Sequence, residues 1–296
     1  MGSNPAAPTL FRSTSRRAVG DSSPFVDFRL FFQQFASPYP QWYPTAVRLL
    51  LSNDDGISSE GLRALEEALA ALATVYVVAP DREQSAASHA LTLHRPLRVQ
   101  ELGERRWAVD GTPTDCVNLA VNGILRRERP DLIVSGINRG SNLGDDITYS
   151  GTVSAAMEGT LLGIPSIAVS LAGRERFDFS AAASFTAELV QALEGQKMPR
   201  DTLLNVNVPP LPRALIKGVM LTRQGKRRFG DMIVEKLDPR GRKYYWIGGD
   251  ELGFIDDEGT DFAAIARDMI SISPLHLDLT NYASFEEMTA LKLDWR

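Results

Sequence analysis

The chain has 296 residues, with 32 Lys and Arg against 37 Asp and Glu, for a net charge of −5. Its 44% hydrophobic and 23% charged content is ordinary for a globular chain and excludes a wholly disordered or fibrous one. The acidic balance argues against a general nucleic-acid-binding surface. One cysteine, Cys116, excludes an intramolecular disulfide and a cysteine-rich zinc site. With His89, His94 and His276 the only imidazoles, any bound metal is expected to take oxygen ligands.

Residues 1–46 differ from the rest. The first 23 are rich in Ser, Ala, Pro and Arg and lack the apolar core of a secretory signal. Asp21 and Asp27 fit poorly with a transit peptide, and the segment is expected to be a flexible extension. The longest nearly apolar run, residues 68–79, is well short of the ~18 residues a membrane span needs and ends at Pro80-Asp81. No membrane partner is expected, and a cytoplasmic location is.

The folded region begins at Val47. Residues 47–52 form a short apolar run, as for a strand buried on both faces. Ser58-Ser59-Glu60-Gly61 then opens a helix whose Leu62, Leu65, Leu69 and Leu72 recur on one face. Strands are predicted at 75–79, 131–135, 166–170 and 203–208, and helices at 114–127, 153–162 and 181–193. This alternation implies right-handed βαβ units and a mostly parallel sheet. After Pro209–Pro212 the pattern changes. Strands at 217–222, 232–236 and 243–247 suggest a smaller β-rich appendage, followed by a helix at 261–267, a strand at 269–273 and a terminal helix at 284–293.

Ligands of open α/β sheets bind beyond the carboxyl ends of the strands. Those ends carry Asn53-Asp54-Asp55-Gly56, Pro80-Asp81-Arg82-Glu83-Gln84-Ser85, and the stretch from Gly136 through Asn138 and Asn142 to Gly144. Adjacent carboxylates repel unless a cation or bound protons compensate. Asp54 and Asp55 with Ser85 and Asn138 offer hard oxygen ligands suited to Mg²⁺ or Mn²⁺; equally, Asp-Asp-Gly alone reads as a turn. Ser150, Gly151 and Thr152 precede a helix, so they read either as an anion cradle or as an ordinary cap. No Walker loop, no Gly-x-Gly-x-x-Gly and no Gly-x-Ser-x-Gly elbow is present. His89 and His94 therefore read as structural or surface residues despite the nearby Ser88, and Cys116 as a small core residue. The basic run 223–228 reads as a solvated hairpin surface or as a contact for a phosphate-rich substrate.

Together these blocks resemble the SurE family of stationary-phase survival proteins, which are 5′/3′-nucleotidases. The carrying motifs are Leu50-Leu51-Ser52-Asn53-Asp54-Asp55-Gly56, Val78-Ala79-Pro80-Asp81-Arg82, Gly111-Thr112-Pro113-Thr114-Asp115, Ser135-Gly136-Ile137-Asn138, Asn142-Leu143-Gly144-Asp145-Asp146 and Tyr149-Ser150-Gly151-Thr152-Val153. Downstream, Leu204-Asn205-Val206-Asn207-Val208-Pro209 and Gly259-Thr260-Asp261-Phe262 also fit. The resemblance implies an α/β Rossmann-like catalytic core at 47–212. It also implies a β-rich oligomerisation region at 213–296 that exchanges elements between subunits in a homodimer or homotetramer. One divalent metal ion per subunit (Mg²⁺ or Mn²⁺) would sit on Asp54, Asp55, Ser85 and Asn138, with phosphate contacts at Asn142, Ser150, Gly151 and Thr152. The implied activity is metal-dependent hydrolysis of nucleoside 5′-monophosphates, the family's 3′ activity depending on loop shape, with Asp54 and Asp55 catalytic and no polymeric nucleic acid as partner. Ser59-Glu60 departs from the family's usual Ala-Pro before the glycine matched by Gly61. The rival reading is a non-catalytic metal-dependent nucleotide sensor or assembly module; a haloacid-dehalogenase-type phosphatase is disfavoured because the carboxylates are adjacent rather than spaced as Asp-x-Asp.

Overall fold

The computed structural model describes residues 47–196, 198–228, 233–247, 253–255 and 257–291; the expected N-terminal extension, residues 1–46, lies outside them. The first half contains β1 (Arg48–Ser52), α1 (Glu60–Leu69), β2 (Thr74–Pro80), β3 (Val99–Gly103), β4 (Arg106–Val109) and α2 (Pro113–Leu119), which runs into a π-helical turn (Ala120–Ile124). Next come β5 (Leu132–Arg139), a 3₁₀ turn (Gly144–Thr148), α3 (Gly151–Leu161), β6 (Ser166–Leu171), α4 (Ser180–Leu193) and β7 (Thr202–Val208). The last part holds β8 (Val219–Leu221), β9 (Ile233–Leu237), β10 (Lys243–Ile247), α5 (Asp261–Ala266), β11 (Ile270–His276) and α6 (Phe285–Thr289).

Nine strands form one sheet in the order β3-β4-β2-β1-β5-β6-β7-β11-β8. From β4 to β7 all neighbours are parallel. β3 and β11 run antiparallel to β4 and β7, and β8 runs parallel to β11. Pleating sends Leu49 and Leu51 to one face, where Leu62, Leu65 and Leu69 of α1 and Leu189, Val190 and Leu193 of α4 pack on them. Leu50 and Ile133 face the opposite side, against Cys116 and Val117 of α2 and Ala155 of α3. Both faces are thus covered, which is why the central strands read as continuous apolar runs. Cys116 is fully buried, as its place in the apolar pattern of α2 predicts, and burial pushes its thiol well up.

Several expectations needed adjustment. Leu72 is 36% exposed, because α1 ends at Leu69 and Leu72 lies in the turn beyond it. β5 does not stop at Ser135 but continues to Arg139, with a register shift against β6 between Ser135 and Asn138. The β3–β4 hairpin was not foreseen: β3 is an exposed edge strand with Gln100 and Glu101 in its short run, so no buried apolar pattern marks it. β8 and β11 extend the main sheet, and only β9 and β10 stand apart as an antiparallel pair. The terminal helix spans Phe285–Thr289, and residues 292–293 of its expected range lie outside those described.

The docking of α1 depends on a missing side chain. A Cβ on Gly61 would lie 2.0 Å from the backbone carbonyl oxygen of Ile137, an atom that cannot rotate away. Gly61→Ala should therefore lower stability by about 1–3 kcal/mol, even though alanine is the better helix former by ~1 kcal/mol. A shift of the urea midpoint to lower concentration checks this; a stabilised variant would contradict it.

Candidate active site

The strand order reverses at β1: the chain passes from β1 to β2 on one side and later returns to β5 on the other. The crevice at the carboxyl ends of β1 and β5 is therefore the topological switch point, where open α/β sheets bind ligands. Asp54 and Asp55 follow β1 directly, Asn138 and Arg139 end β5, and α3 begins beside them.

The Asp-Asp-Gly segment is a turn and a carboxylate pair at once. Gly56 has φ +95°, and its carbonyl accepts hydrogen bonds from Ser59 N–H (3.0 Å) and Asn53 Nδ2 (3.1 Å). A Cβ there would come within 3.0 Å of the Arg82 backbone. With the turn closed, Asp54 is 95% buried and packs directly on the start of α3: a Cβ on Gly151 would sit 2.7 Å from Asp54 Cβ. The Thr152 hydroxyl donates to Asp54 Oδ1. Asp55 Oδ2 accepts from Arg139 N–H at 3.1 Å.

Burial pushes both carboxyls up. For Asp54 the hydrogen bond from the Thr152 hydroxyl opposes the rise. Asp55 is pushed up to about 6, by burial first, while the Arg139 N–H opposes it and the charges of Asp54 and Glu83 add to it. Two neighbouring acids are thus held where their charge is disfavoured, an environment that a divalent cation would relieve. Among the described residues no three His, Cys, Asp or Glu side chains form a metal-binding cluster, so a cation here would complete its shell with neutral oxygens and water.

The other expected site residues are distributed as follows. Asn138 Nδ2 donates to Gly140 O (3.0 Å), which leaves its Oδ1 as the oxygen a cation could use. Ser85 is exposed, and its hydroxyl donates to Glu83 Oε1 (2.6 Å) rather than reaching Asp54 or Asp55. Ser150 caps α3, its Oγ accepting from Val153 N–H at 3.1 Å; with Ser150 N–H given to the Ile147 carbonyl and Thr152 N–H to Asp54, the Gly151 N–H is the backbone donor that remains at the helix start. Asn142 is tied into the sheet: its N–H donates to Asn207 Oδ1, its Nδ2 to Ser170 Oγ, and its carbonyl accepts from the amides of Asn205 and Asn207.

The loop after β2 is stitched over the crevice. Gln84 N–H donates to the Asp54 carbonyl (2.8 Å), and Ser88 donates through N–H and Oγ to the carbonyls of Tyr149 and Thr148. His89 Nε2 bonds Glu158 Oε2 at 2.9 Å, while Asn118 Nδ2 donates to Glu158 Oε1 at 2.6 Å. Glu158, Glu83 and Arg139 were not singled out in the sequence. Glu83 and Arg139 lie within the polar strand-end stretches, but the buried Glu158 belongs to a helix whose spacing gives no sign of a partner 69 residues earlier. His89 is structural, as expected. The basic run is not merely solvated, since Lys226 and Arg227 pair with Asp145 and Asp146 in the turn that leads to α3. Away from this crevice, a cavity of about 310 Å³ is lined by Val47, Leu72, Leu132, Pro165, Val190 and Met198 together with Glu194 and Asp131, the latter paired with Arg48.

Residues 49–231 match the family model described as Survival protein SurE. The chain is similar to the 5'-nucleotidase SurE of Geobacter sulfurreducens, 60% identical over 239 residues, covering 80% of this chain and 91% of that protein. It is 57% identical over 239 residues to the 5'-nucleotidase SurE of Geotalea daltonii, covering 80% and 96%. The crystal structure of the SurE protein from Aquifex aeolicus superposes with a TM-score of 0.76 at 48% identity, covering 83% of this chain and all of that one.

The Glu158 bonds generate a test of how the loop is held. Glu158→Gln presents an amide N–H₂ to one of two groups that now donate to a carboxylate. It should destabilise the protein by about 1–3 kcal/mol and speed native-state proteolysis between residues 84 and 92. Unchanged urea unfolding and cleavage would show that this pair does not hold the loop.

Proposed function

The chain belongs to the SurE family, and from that membership we propose that it is a 5′-nucleotidase, hydrolysing nucleoside 5′-monophosphates to nucleoside and inorganic phosphate in the Asp54 crevice. One observation carries this location: Asp54, the first of the adjacent acids, touches the start of α3 through Gly151 and Thr152. A cation held by the acids and a phosphate at the dipole-positive start of α3, met by the Gly151 N–H, would then share one crevice.

One divalent cation per subunit, Mg²⁺ or Mn²⁺, is assigned to Asp54, Asp55, Ser85 and Asn138. The donor set fits: every ligand atom is an oxygen, and the carboxylates sit where burial disfavours their charge. Ser85 would have to leave Glu83 to join. When bound, such an ion supplies Lewis acidity at the phosphoryl group. Asp54 and Asp55 are the catalytic pair in this reading, orienting the attacking water through the oxygens that Thr152 and Arg139 do not engage. Ser150, Gly151 and Thr152 bind phosphate at the start of α3 in this reading, through the Gly151 N–H and the Ser150 and Thr152 hydroxyls, stabilising charge on its oxygens as it grows. Asn142, held by Ser170 and Asn207, fixes the approach of the same loop.

The division into a catalytic core at 47–212 and an oligomerisation region at 213–296 is part of the same reading. Ile233 and Trp246 on β9 and β10, and Leu279 and Phe285 near the C-terminus, expose large apolar side chains. A homodimer or homotetramer with exchanged C-terminal elements would cover them. A cytoplasmic location accords with the described residues, in which no helix is long and apolar enough to cross a membrane.

The deciding experiment is phosphate release from a panel of nucleoside monophosphates with Mn²⁺, with Mg²⁺ and with EDTA. Release that EDTA abolishes is expected; nucleotide binding without release would instead favour the sensor reading. Asp54→Asn should lower kcat on the order of 10²–10³-fold while the fold is retained, and full activity at low metal would end the assignment.

The acids also predict a pH dependence. Asp55 binds its proton more tightly folded than unfolded between about pH 4 and pH 6, so the metal-free protein should lose stability as pH rises through that window. Mn²⁺ should return it, raising Tm more at about pH 7 than at about pH 5, where protons compete for the same oxygens. A Mn²⁺-induced gain in Tm that is equal at both pH values would contradict this.

A further inference from the structure

Asp261 is wholly buried on the first turn of α5, and its carboxylate joins three separate chain segments. Oδ2 accepts from Gly144 N–H at 2.7 Å, while Oδ1 accepts from Gly225 N–H at 2.9 Å and Phe262 N–H at 2.8 Å. The carbonyl of the same Gly144 accepts from Gln224 Nε2 at 2.7 Å. Both peptide groups of one residue are therefore gripped from the C-terminal part of the chain. The next two residues are gripped as well: Lys226 Nζ pairs with Asp145 at 2.6 Å, and Arg227 pairs with Asp146. Apolar contact closes the arrangement. The Arg227 guanidinium lies 5.8 Å from the centre of the Phe262 ring, which stacks on Phe254 at 5.0 Å.

Gly144 is the first residue of the 3₁₀ turn that ends two residues before Ser150. Its φ is +53°, and a Cβ there would approach the Phe262 ring to 2.6 Å and the Gly225 carbonyl oxygen to 2.9 Å. The turn thus has little freedom to slide past the residues that hold it. Further on, Ser150 N–H donates to the Ile147 carbonyl, so the turn is bonded to the residue that caps α3. By contrast, the described hydrogen bonds to the carboxylates of Asp54 and Asp55, which follow β1, come from Thr152 and Arg139.

We propose that Asp261 is a positioning residue for phosphate: with Gln224, Lys226 and Arg227 it fixes the turn at residues 144–148 and hence where Ser150 and the Gly151 N–H at the start of α3 meet a phosphate oxygen. The inference rests on reading the start of α3 as the phosphate cradle. It gives the basic run a role it lacked: its cations neutralise Asp145 and Asp146 beside the cradle, and they are engaged by that turn. Residues 224–227 and 261 consequently brace the nucleotide site from within the same chain, apart from the β9–β10 pair and C-terminal end whose exposed apolar side chains the exchange would cover.

The test uses the full chain as wild type, Asp261→Asn and Arg227→Ala. Binding of inorganic phosphate and of Mn²⁺ is measured separately by calorimetry, alongside KM and kcat for a nucleoside monophosphate. An asparagine cannot accept on both side-chain atoms, so Asp261→Asn removes at least one of the three N–H bonds. The expected result is phosphate affinity weakened about tenfold and KM raised in step, with Mn²⁺ affinity within about twofold of wild type. Arg227→Ala should move phosphate binding the same way by a smaller factor, and it decides the matter if Asp261→Asn does not fold. Phosphate affinity unchanged in the folded variants would overturn the proposal, and so would phosphate and Mn²⁺ affinities falling together, which would mark general loosening. A wild type that binds phosphate but releases none from nucleotides would refute the nucleotidase reading while leaving the phosphate comparison decisive for Asp261.

Discussion

The whole arrangement turns on two adjacent carboxylates placed at the end of a strand buried on both faces. Leu49, Leu50 and Leu51 draw β1 into the middle of the sheet, and the chain leaves that strand as Asp54-Asp55 with little water to solvate the charge. Burying a carboxylate without compensation is costly. The surrounding elements supply partial compensation: the Thr152 hydroxyl for Asp54 and the Arg139 N–H for Asp55. Helix α3 can approach this closely only because residue 151 has no side chain. The balance left unmet, visible in carboxyls raised from their ordinary range, is what makes the crevice receptive to a cation.

Much of this was legible in the sequence, for identifiable reasons. Strands covered on both faces are largely apolar runs, so β1, β2, β6 and β7 stand out despite buried polar residues such as Asn205 and Asn207, and α1 follows from its three- and four-residue spacing of leucines. The location of the site followed from topology, because polar residues at the carboxyl ends of apolar strands converge wherever the strand order reverses. The side-chain detail did not follow. Nothing local says that Asn142 spends its amide on Ser170, that the Ser85 hydroxyl turns to Glu83, or that Glu158 answers His89 across the loop. The β3–β4 hairpin escaped because an edge strand has no buried face to enforce alternation.

The C-terminal part shows where local pattern ends. Its strands could be recognised singly, but their partners could not: β11 pairs with β7 on one side and with β8 on the other, joining residues some distance apart in the chain. The same holds for charge. A run of three cations is obvious in a sequence, whereas its pairing with Asp145 and Asp146 depends on a fold that brings positions 81 residues apart into contact.

The insertion of β11 between β7 and β8 has a consequence for biosynthesis. A ribosome delivers β1 to β7 first, in an order that lets each parallel strand dock on one already made. β8 emerges next and has no sheet neighbour until β11 follows it, some fifty residues later. Asp261 arrives in that same late stretch, so a nascent chain owns its acid pair well before it owns the brace on Gly144. Premature termination ahead of residue 261 would release a polypeptide with the acids of β1 intact, an unfinished sheet margin beyond β7, and a turn before α3 still waiting for its anchor.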